Sequence, residues 1–209
     1  IELMSRSTQR TLTLAPETVN PTISCSIGKC FDPERFDELA TAALRAGFDL
    51  KLYLLVGLPG ERHDDVLAAA DHLKRLVDVA SSLRRSVAVS VNPLVPKPHT
   101  PLQDYPLLEE GEYLRRVRML ERVLGRRVVA YLPWTYAYVQ SLIALGDRRV
   151  GELAVGLGLR GASRRNIAEL SSSLGIDPRL PLRKRSIDER PWRDVVFPLD
   201  HIVDRIPPG

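Results

Sequence analysis

Three short apolar segments alternate with two amphipathic segments in the first half of the chain. The apolar segments begin at residues 11, 50 and 86 and read TLTLA, LKLYLLV and SVAVSV. Runs of this length and composition predict strands, and the nearly continuous apolar run over 50–56 predicts a strand buried on both faces. The intervals of 39 and 36 residues leave room for one helix between successive strands. This is the pattern of β-α-β crossovers, so the sequence predicts an α/β fold with parallel strands.

The two amphipathic segments carry helix signals at their ends. The first helix is predicted over 33–46, with Asp32 as N-cap, Pro33 at the first helical position and Gly47 as the stop. The second is predicted over 61–80, with Glu61 as a first-turn acid that the helix dipole favours.

The chain changes character after Leu94. Three prolines within 96–101 exclude a helix or a central strand. From residue 177 onward the sequence is rich in proline and charge and predicts an irregular tail. Between these segments we predict one short strand and four helices, at 128–131 and at 108–126, 133–145, 149–157 and 164–174 respectively.

The composition narrows the class of protein. With 209 residues, 44% hydrophobic and 27% charged, the chain is neither disordered as a whole nor long enough in any apolar run to span a membrane. It begins at Ile1 with no signal-peptide pattern, and we expect a cytoplasmic location.

The net charge of +4 is unevenly distributed. Residues 1–105 carry −1 and residues 106–209 carry +5, and 25 of the 30 basic residues are arginines. Arginine favours contacts with phosphate, which leaves a nucleic-acid partner open. The alternatives are a solvated surface rich in ion pairs, or the codon bias of a GC-rich genome.

The two cysteines and two of the histidines give no metal site. Cys25 and Cys30, in CSIGKC, have the spacing of neither a zinc knuckle nor a CxxC redox pair, and we expect them to be unpaired. His63 and His72 have no acidic partner at ligand spacing, so we interpret them as structural.

Polar residues follow each predicted strand, where ligands bind in parallel α/β sheets. Glu17 and Thr18 follow the first strand, and a Glu17 carboxylate there can accept hydrogen bonds from ribose hydroxyls or an amine. The alternative is an ion pair or a solvated loop carboxylate. The turn Gly57–Glu61 (GLPGE) follows the second strand, and its glycines permit either a close approach to a ligand or a purely structural turn.

The segment after the third strand is stiffened by proline and carries Asn92, Lys97 and His99. His99 could act as a general acid or base, or as a ligand, while the alternative is a surface loop. Further along, the aromatic cluster PWTYAYV, with Trp134, Tyr136 and Tyr138, either stacks on a base or belongs to a helix that packs against the side of the barrel.

Taken in order, these segments resemble the second half of a radical SAM domain. The resemblance is carried by LAPET at 14–18, IGK at 27–29, LKLY at 50–53, VGLPGE at 56–61 and VSVNPLVPKPHTP at 89–101. The group most similar to it contains radical SAM proteins that often follow a cobalamin-binding-type domain. Pro133-Trp134 and the GDRRV segment at 146–150 also look like the helical region of that group.

The resemblance implies a fold and a cofactor. The fold is a partial (β/α) TIM-like barrel, of which this chain would hold the second half, with about three parallel strands. The half-barrel would occupy 1–105, followed by a small helical region at 106–175 and the irregular tail at 176–209. The cofactor is S-adenosylmethionine. By resemblance its contacts would be Glu17, Thr18, Val56, Gly57, Leu58, Val95 and Pro96, with Asn92, Lys97 and His99 on the substrate side.

The chain departs from that family at two places. It has no CxxxCxxC, so the [4Fe-4S] cluster would belong to a missing amino-terminal half. That half, or another chain, would also cover the exposed edge of a three-stranded sheet. The family usually continues APET with Gly-Ser-Glu-Arg, whereas this chain has Val-Asn-Pro-Thr at 19–22, and we expect Pro21 to break the helical turn there.

Two functions follow as expectations. The chain is the carboxyl-terminal part of a radical SAM enzyme whose substrate and catalytic residues the sequence does not identify, and it is inactive alone. The alternative is a non-catalytic remnant that serves as a binding or scaffold module for RNA or a partner protein.

Overall fold

The computed structural model describes residues 8–30, 32–126 and 128–195, and shows an α/β protein. Residues 1–7 of the predicted half-barrel and 196–209 of the predicted tail lie outside the described residues. The strands are β1 (Thr11–Glu17), β2 (Asp49–Val56), β3 (Val87–Pro93) and β4 (Val129–Tyr131). The helices are α1 (Pro21–Ser26), α2 (Pro33–Arg45), α3 (His63–Ser82), α4 (Glu110–Leu124), α5 (Trp134–Leu145), α6 (Arg149–Arg160) and α7 (Arg164–Ser173).

The described chain divides into two compact units. The first comprises the described residues of Ile1–Asn92 and Gly111–Leu132, and the second those of Pro93–Glu110 and Pro133–Gly209. The first unit contains the sheet, and the second contains α5 to α7 and the end of the described chain.

The four strands form one parallel sheet in the order β1-β2-β3-β4. Thr11 pairs with Asp49 at one end of the β1–β2 ladder, and Glu17 pairs with Leu54 at the other. The predicted α/β class and parallel strands are confirmed. The sheet has four strands rather than about three, because the short segment Val129–Tyr131 pairs with Val89–Val91 and extends it.

The core lies on one face of this sheet. Leu50, Leu52 and Leu54 of β2 are at most 2% exposed, whereas Lys51 between them is exposed. The prediction that β2 is buried on both faces is therefore wrong. Its side chains alternate, with one face packed and the other accessible within the described structure. Helix α2 packs on β2 and on α3, on the covered side.

Local signals set the helix ends where the sequence predicts them. The Asp32 carboxylate accepts hydrogen bonds from the N–H groups of Glu34 and Arg35 at the start of α2. Pro33 occupies the first helical position, where no N–H is needed. The predicted start of this helix is confirmed.

The prediction that Pro21 breaks a helical turn is wrong. Pro21 begins the short helix α1, and Asn20 caps it by accepting from Thr22 N–H at 2.9 Å and Ile23 N–H at 3.2 Å. The physical reason is position: a proline blocks a helix interior but suits its first residue.

In the second unit, α6 packs on α5 and α7. Trp134 and Tyr138 stack with ring centroids 5.0 Å apart, and their polar atoms donate to the carbonyls of Leu108 and Pro178. Both rings thus take part in packing within the second unit, while packing against the side of a barrel stays a prediction.

The predicted irregular tail is partly ordered. It contains two short 3₁₀ helices, Leu180–Leu182 and Ile187–Glu189. The Pro181 carbonyl accepts from Leu107 N–H at 2.7 Å, which ties the tail to the segment before α4.

Candidate functional site

The carboxyl ends of β1 and β2 lie side by side in the first unit. Because the strands are parallel and Glu17 pairs with Leu54, the segments that leave both strands begin at the same edge. A cavity of about 10 Å³, the space of one water molecule, lies at this edge. Its lining comprises Glu17, Thr18, Leu54, Leu55, Val56, Glu61, Asp65, Val66, Ala69 and Leu120.

Three of the predicted cofactor residues, Glu17, Thr18 and Val56, therefore line one cavity. Val56 and Leu58 are each 2% exposed, and Gly57 between them has a φ of +84°, the left-handed region that glycine enters freely. The second glycine of this turn, Gly60, is also left-handed. The GLPG turn is thus a tight, largely buried turn at the end of β2.

Glu17 is held by a lysine in this structure. Lys29 Nζ lies 2.9 Å from Glu17 Oε1 and donates to the Ala15 carbonyl at 2.6 Å. Glu17 itself has a φ of +65°, which is unusual for a residue with a side chain. Of the alternatives for Glu17, the structure contains the ion pair. Sequence reasoning missed Lys29, although it stands in the IGK segment.

The expectation of unpaired cysteines is wrong. Cys25 and Cys30 form a disulfide, and both residues are exposed. The end of α1 turns back at Gly28, which brings the two side chains together. Spacing alone could not show this, because the helix end that produces the turn was itself not predicted.

Hydrogen bonds of Asn20 hold Thr18 and the start of α1 in place. Thr18 Oγ1 accepts from Asn20 N–H at 3.2 Å, and Asn20 Nδ2 donates to Asp65 Oδ1 at 2.7 Å. A capping residue of α1 is thereby connected to the first turn of α3. The segment after β1 is thus held at Thr18, where it begins, and at Asn20, where α1 begins.

The prediction that Glu61 stands in the first turn of a helix is wrong. Helix α3 begins at His63, with Arg62 as N-cap, and Glu61 precedes it. The Glu61 side chain is only 4% exposed and folds back, so that Oε2 accepts from Gly57 N–H at 2.6 Å. The same oxygen is paired with the guanidinium of Arg116 on α4. Glu61 thus closes the GLPG turn rather than stabilising the helix.

A chain of charges continues from Glu61 across α4. Arg116 Nε donates to Glu112 Oε1 at 2.9 Å, and His63 Nε2 lies 2.6 Å from the same oxygen. Arg116 is buried, so its two carboxylate partners compensate a charge that would otherwise lack solvation. His63 and Glu112 are among the residues that sequence reasoning did not connect. His72, the other histidine interpreted as structural, is buried with Nε2 2.9 Å from Asp37 Oδ1.

Burial and charge move the pKa values of these carboxyls in opposite directions. Burial raises the pKa of Glu61, although Gly57 N–H and Arg116 oppose it. Burial also raises the pKa of Glu112, but the contacts with Arg116 and His63 lower it by more, so that the pKa lies below its ordinary value. The two acids therefore respond differently to pH.

The buried phenol of Tyr113 joins the ends of β3 and β4. Its oxygen lies 3.0 Å from the Val91 carbonyl oxygen and 2.8 Å from that of Leu132. Burial raises the pKa of this phenol. Asn92, the next residue of β3, is half-buried in the first unit.

The remaining predicted residues belong to the second unit. Val95 is half-buried, Pro96 buried and Lys97 exposed. His99 has a φ of +56°, and its N–H donates to Gln103 Oε1 at 3.1 Å.

Gln103 organises this part of the second unit. It is 4% exposed, and its Oε1 also accepts from Trp192 Nε1 at 2.8 Å. Arg185 is fully buried and donates to the Gln103 carbonyl, and Arg190 pairs with Asp104. The proline-stiffened segment is therefore an ordered structure held by the tail. Neither Gln103 nor Trp192 carried a signal in the sequence.

The arginines of the second unit are largely engaged with carboxylates. The pairs are Arg149–Asp147, Arg164–Glu110, Arg165–Glu169, Arg183–Glu189 and Arg190–Asp104. The surface of this unit is thus rich in ion pairs, and a nucleic-acid partner stays a prediction.

Within the described ranges, no group of three or more His, Cys, Asp or Glu side chains is arranged to hold a metal ion. None of the helices described there combines the length and apolarity needed to cross a membrane.

The chain has a distant relative among curated proteins. Over 156 residues the chain is 28% identical to the uncharacterized protein MJ0966 of Methanocaldococcus jannaschii, a match that covers 72% of this chain and 33% of that protein. The chain thus spans about one third of the length of this curated relative. No family model matches the chain, and no solved structure matches it.

Proposed function

We propose that this chain is the carboxyl-terminal part of a radical S-adenosylmethionine enzyme and that the edge formed by β1 and β2 binds the adenosine end of the cofactor. The observation that carries the proposal is the parallel register that sets Glu17 and Thr18 beside Val56 and the GLPG turn. Ligands of parallel α/β sheets bind at this edge. The four-stranded sheet is, on this proposal, the second half of a (β/α) barrel in a cytoplasmic protein.

The donor set at this edge suits the polar part of the cofactor. The Glu17 side chain is 22% exposed, and a carboxylate accepts hydrogen bonds from ribose hydroxyls or from an amine. The cavity behind it holds about one water molecule, so the cofactor lies outside the cavity, on the solvent side of Glu17. When bound and reduced by one electron from the cluster of the amino-terminal half, S-adenosylmethionine would supply the radical that abstracts hydrogen from a substrate.

The described residues do not suit an iron–sulfur cluster. The two cysteines of the chain are joined to each other, and a cluster of this kind is held by cysteine thiolates. We therefore assign the cluster to an amino-terminal half. Because β1 is an edge strand of the described sheet, that half, or another chain, would pair with or cover it.

The role of this part of the enzyme is to bind and orient. Glu17 accepts hydrogen bonds, while Glu61 fixes the GLPG turn through Gly57 N–H. Arg116 acts as a positioning residue, because it holds Glu61 in place from α4. The substrate-side roles of Asn92, Lys97 and His99, and the adenine-side roles of Val95 and Pro96, stay predictions from the sequence.

Titration of the ¹⁵N-labelled chain with S-adenosylmethionine, in the presence of dithiothreitol, tests the proposal by NMR. We expect the amides of Glu17, Thr18 and Leu58 to shift with a dissociation constant of about 1 mM or tighter, since this half provides part of the contacts. Glu17→Ala should weaken binding about tenfold, because a charge-assisted hydrogen bond is lost. The matched control is Glu38→Ala, which removes an exposed carboxylate from α2.

Binding that is equally strong in Glu17→Ala and Glu38→Ala would refute the assignment of Glu17. Shifts confined to α6 and α7, or none up to about 10 mM, would refute the proposed site altogether.

A further inference from the structure

We propose that the Cys25–Cys30 disulfide is a thiol–disulfide exchange site, and that its redox state decides whether Lys29 is held against Glu17. The co-reactant is a low-molecular-weight thiol of the glutathione class. The inference stands on the loop between the two cysteines, which encloses Lys29.

The disulfide is accessible to a dissolved thiol. Cys25, at the end of α1, and Cys30 are both exposed. Exchange requires that a thiolate approach one of the two sulfur atoms, and exposed disulfides are the ones that typically exchange.

The disulfide closes a loop of unusual backbone conformation. The N–H groups of Lys29 and Cys30 both donate to the Ser24 carbonyl, at 2.9 and 3.3 Å. Cys30 has a φ of +38°, a conformation that residues with a side chain adopt only when their surroundings require it. Once the covalent bond is removed, Cys30 can relax to negative φ. The direction of the chain at Lys29 then changes.

The Lys29–Glu17 pair cannot hold the loop by itself. The Lys29 side chain is 43% exposed and that of Glu17 is 22% exposed, and ion pairs in such positions are weak. The disulfide, with the two hydrogen bonds to the Ser24 carbonyl, keeps Lys29 in reach of Glu17 Oε1 and the Ala15 carbonyl. Its reduction lets Cys30 leave positive φ and so releases the lysine.

The exchange is balanced by two equivalents of thiol. A glutathione thiolate attacks one sulfur atom and forms a mixed disulfide, and the other cysteine leaves as a thiolate that takes a proton from water. A second glutathione thiolate attacks the glutathione sulfur of the mixed disulfide, and this cysteine also leaves as a thiolate that takes a proton from water. Two electrons pass to the protein, which gains two thiols, and one glutathione disulfide is formed.

The consequence concerns the carboxylate of Glu17, which is paired in the oxidised protein and available in the reduced protein. That the available carboxylate then receives S-adenosylmethionine rests on the proposed function. The movement of Lys29 does not, and it can be tested without the cofactor.

The test uses the full chain equilibrated in buffers of varied glutathione and glutathione disulfide. Alkylation and mass spectrometry count the free thiols, since Cys25 and Cys30 are the only cysteines. A pulse of acetylating reagent followed by peptide mapping measures each of the five lysines. We expect acetylation of Lys29 to rise about three- to tenfold on reduction, as an ion pair and a hydrogen bond are lost.

Two lysines of the same unit serve as internal controls. Lys51, which lies 5.1 Å from the centre of the Tyr53 ring, and Lys74, which pairs with Asp78, should keep their rates. Cys25→Ser/Cys30→Ser should give the fast rate at Lys29 in every buffer. Glu17→Gln should raise the rate in the oxidised protein.

Equal acetylation of Lys29 in the oxidised and reduced wild-type chain would overturn the inference. So would two free thiols at every glutathione ratio, because the disulfide would then not form. Both outcomes are read from the wild-type chain and do not depend on the folding of a variant.

Discussion

At the scale of single residues, the site at the carboxyl ends of β1 and β2 depends on backbone conformations that few residues with a side chain adopt. Gly57 and Gly60 are left-handed within one turn, and Glu17 is left-handed at the end of the neighbouring strand. The glycines were visible in the sequence as GLPGE. The sequence does not predict the conformation of Glu17 or its pairing with Lys29, because both depend on the turn that follows α1.

Gly60→Ala tests the turn directly. Space is available for a methyl group, since nothing lies within 4 Å of its position, so the cost is conformational. With a φ of +75°, we expect a loss of about 1 kcal/mol in the free energy of unfolding.

Gly111→Ala on α4 is the matched control. Gly111 also has space for a methyl group, and its φ is not left-handed. The substitution should leave the free energy of unfolding unchanged or raise it by about 0.5 kcal/mol. Urea denaturation of both variants measures the difference. Equal effects of the two substitutions would show that the left-handed turn does not constrain residue 60.

Glu112 makes the pH dependence of stability testable. Its pKa lies below the ordinary value of 4.5, so its contribution is present above that pH and is lost as the pH falls through the lowered value. Glu112→Gln should therefore cost about 0.5–1 kcal/mol near neutral pH and nothing at the acid end.

Thermal unfolding of wild type and Glu112→Gln from pH 7 down to about pH 3 gives this difference. The difference reports on Glu112 together with its coupling to Glu61 through Arg116, since Glu61, whose pKa is raised, is present in both proteins. A difference that stays constant across the range would show that the Glu112 carboxylate gains nothing from Arg116 and His63.

At the scale of elements, period and end signals identified most of the strands and helices. Asp32 and Pro33 predict the start of α2 correctly, because a capping residue and a first-position proline are local signals that do not depend on distant contacts. Helix α1 is not predicted, because Pro21 is expected to break a helical turn rather than to begin one. The predicted start of α3 lies two residues too early, because Glu61, an acid typical of a first helical turn, contacts Gly57 and Arg116 instead.

Asn20→Ala tests the role of α1. Asn20 caps the helix and donates to Asp65, so its removal leaves two N–H groups of the first turn without their acceptor. We expect a loss of about 1 kcal/mol or more, measured by urea denaturation.

Asn20→Ser keeps a capping oxygen but cannot reach Asp65, and should recover about half of that loss. If Asn20→Ala were as stable as wild type, α1 would not be needed to fix the segment after β1.

At the scale of the whole molecule, the α/β class, the parallel strands and the strand-end location of Glu17, Thr18 and Val56 could be predicted. The charged contacts that join Glu61 to Arg116 and His63 to Glu112 could not, since these partners are 55 and 49 residues apart in sequence and meet only through packing. The contacts of the tail with Gln103 are also long-range in sequence, so local sequence patterns do not predict that the tail is ordered there.

The central claim is that this chain completes a radical SAM enzyme whose cluster lies upstream. The measurement that tests it most directly is the sequence of the full transcript and of the neighbouring genes. We predict a CxxxCxxC motif on the order of 100 residues before Ile1 in the same frame, or in an adjacent gene, because three further β-α units would precede this chain. A start codon close to Ile1, with no such motif in this or a neighbouring gene, would contradict the claim.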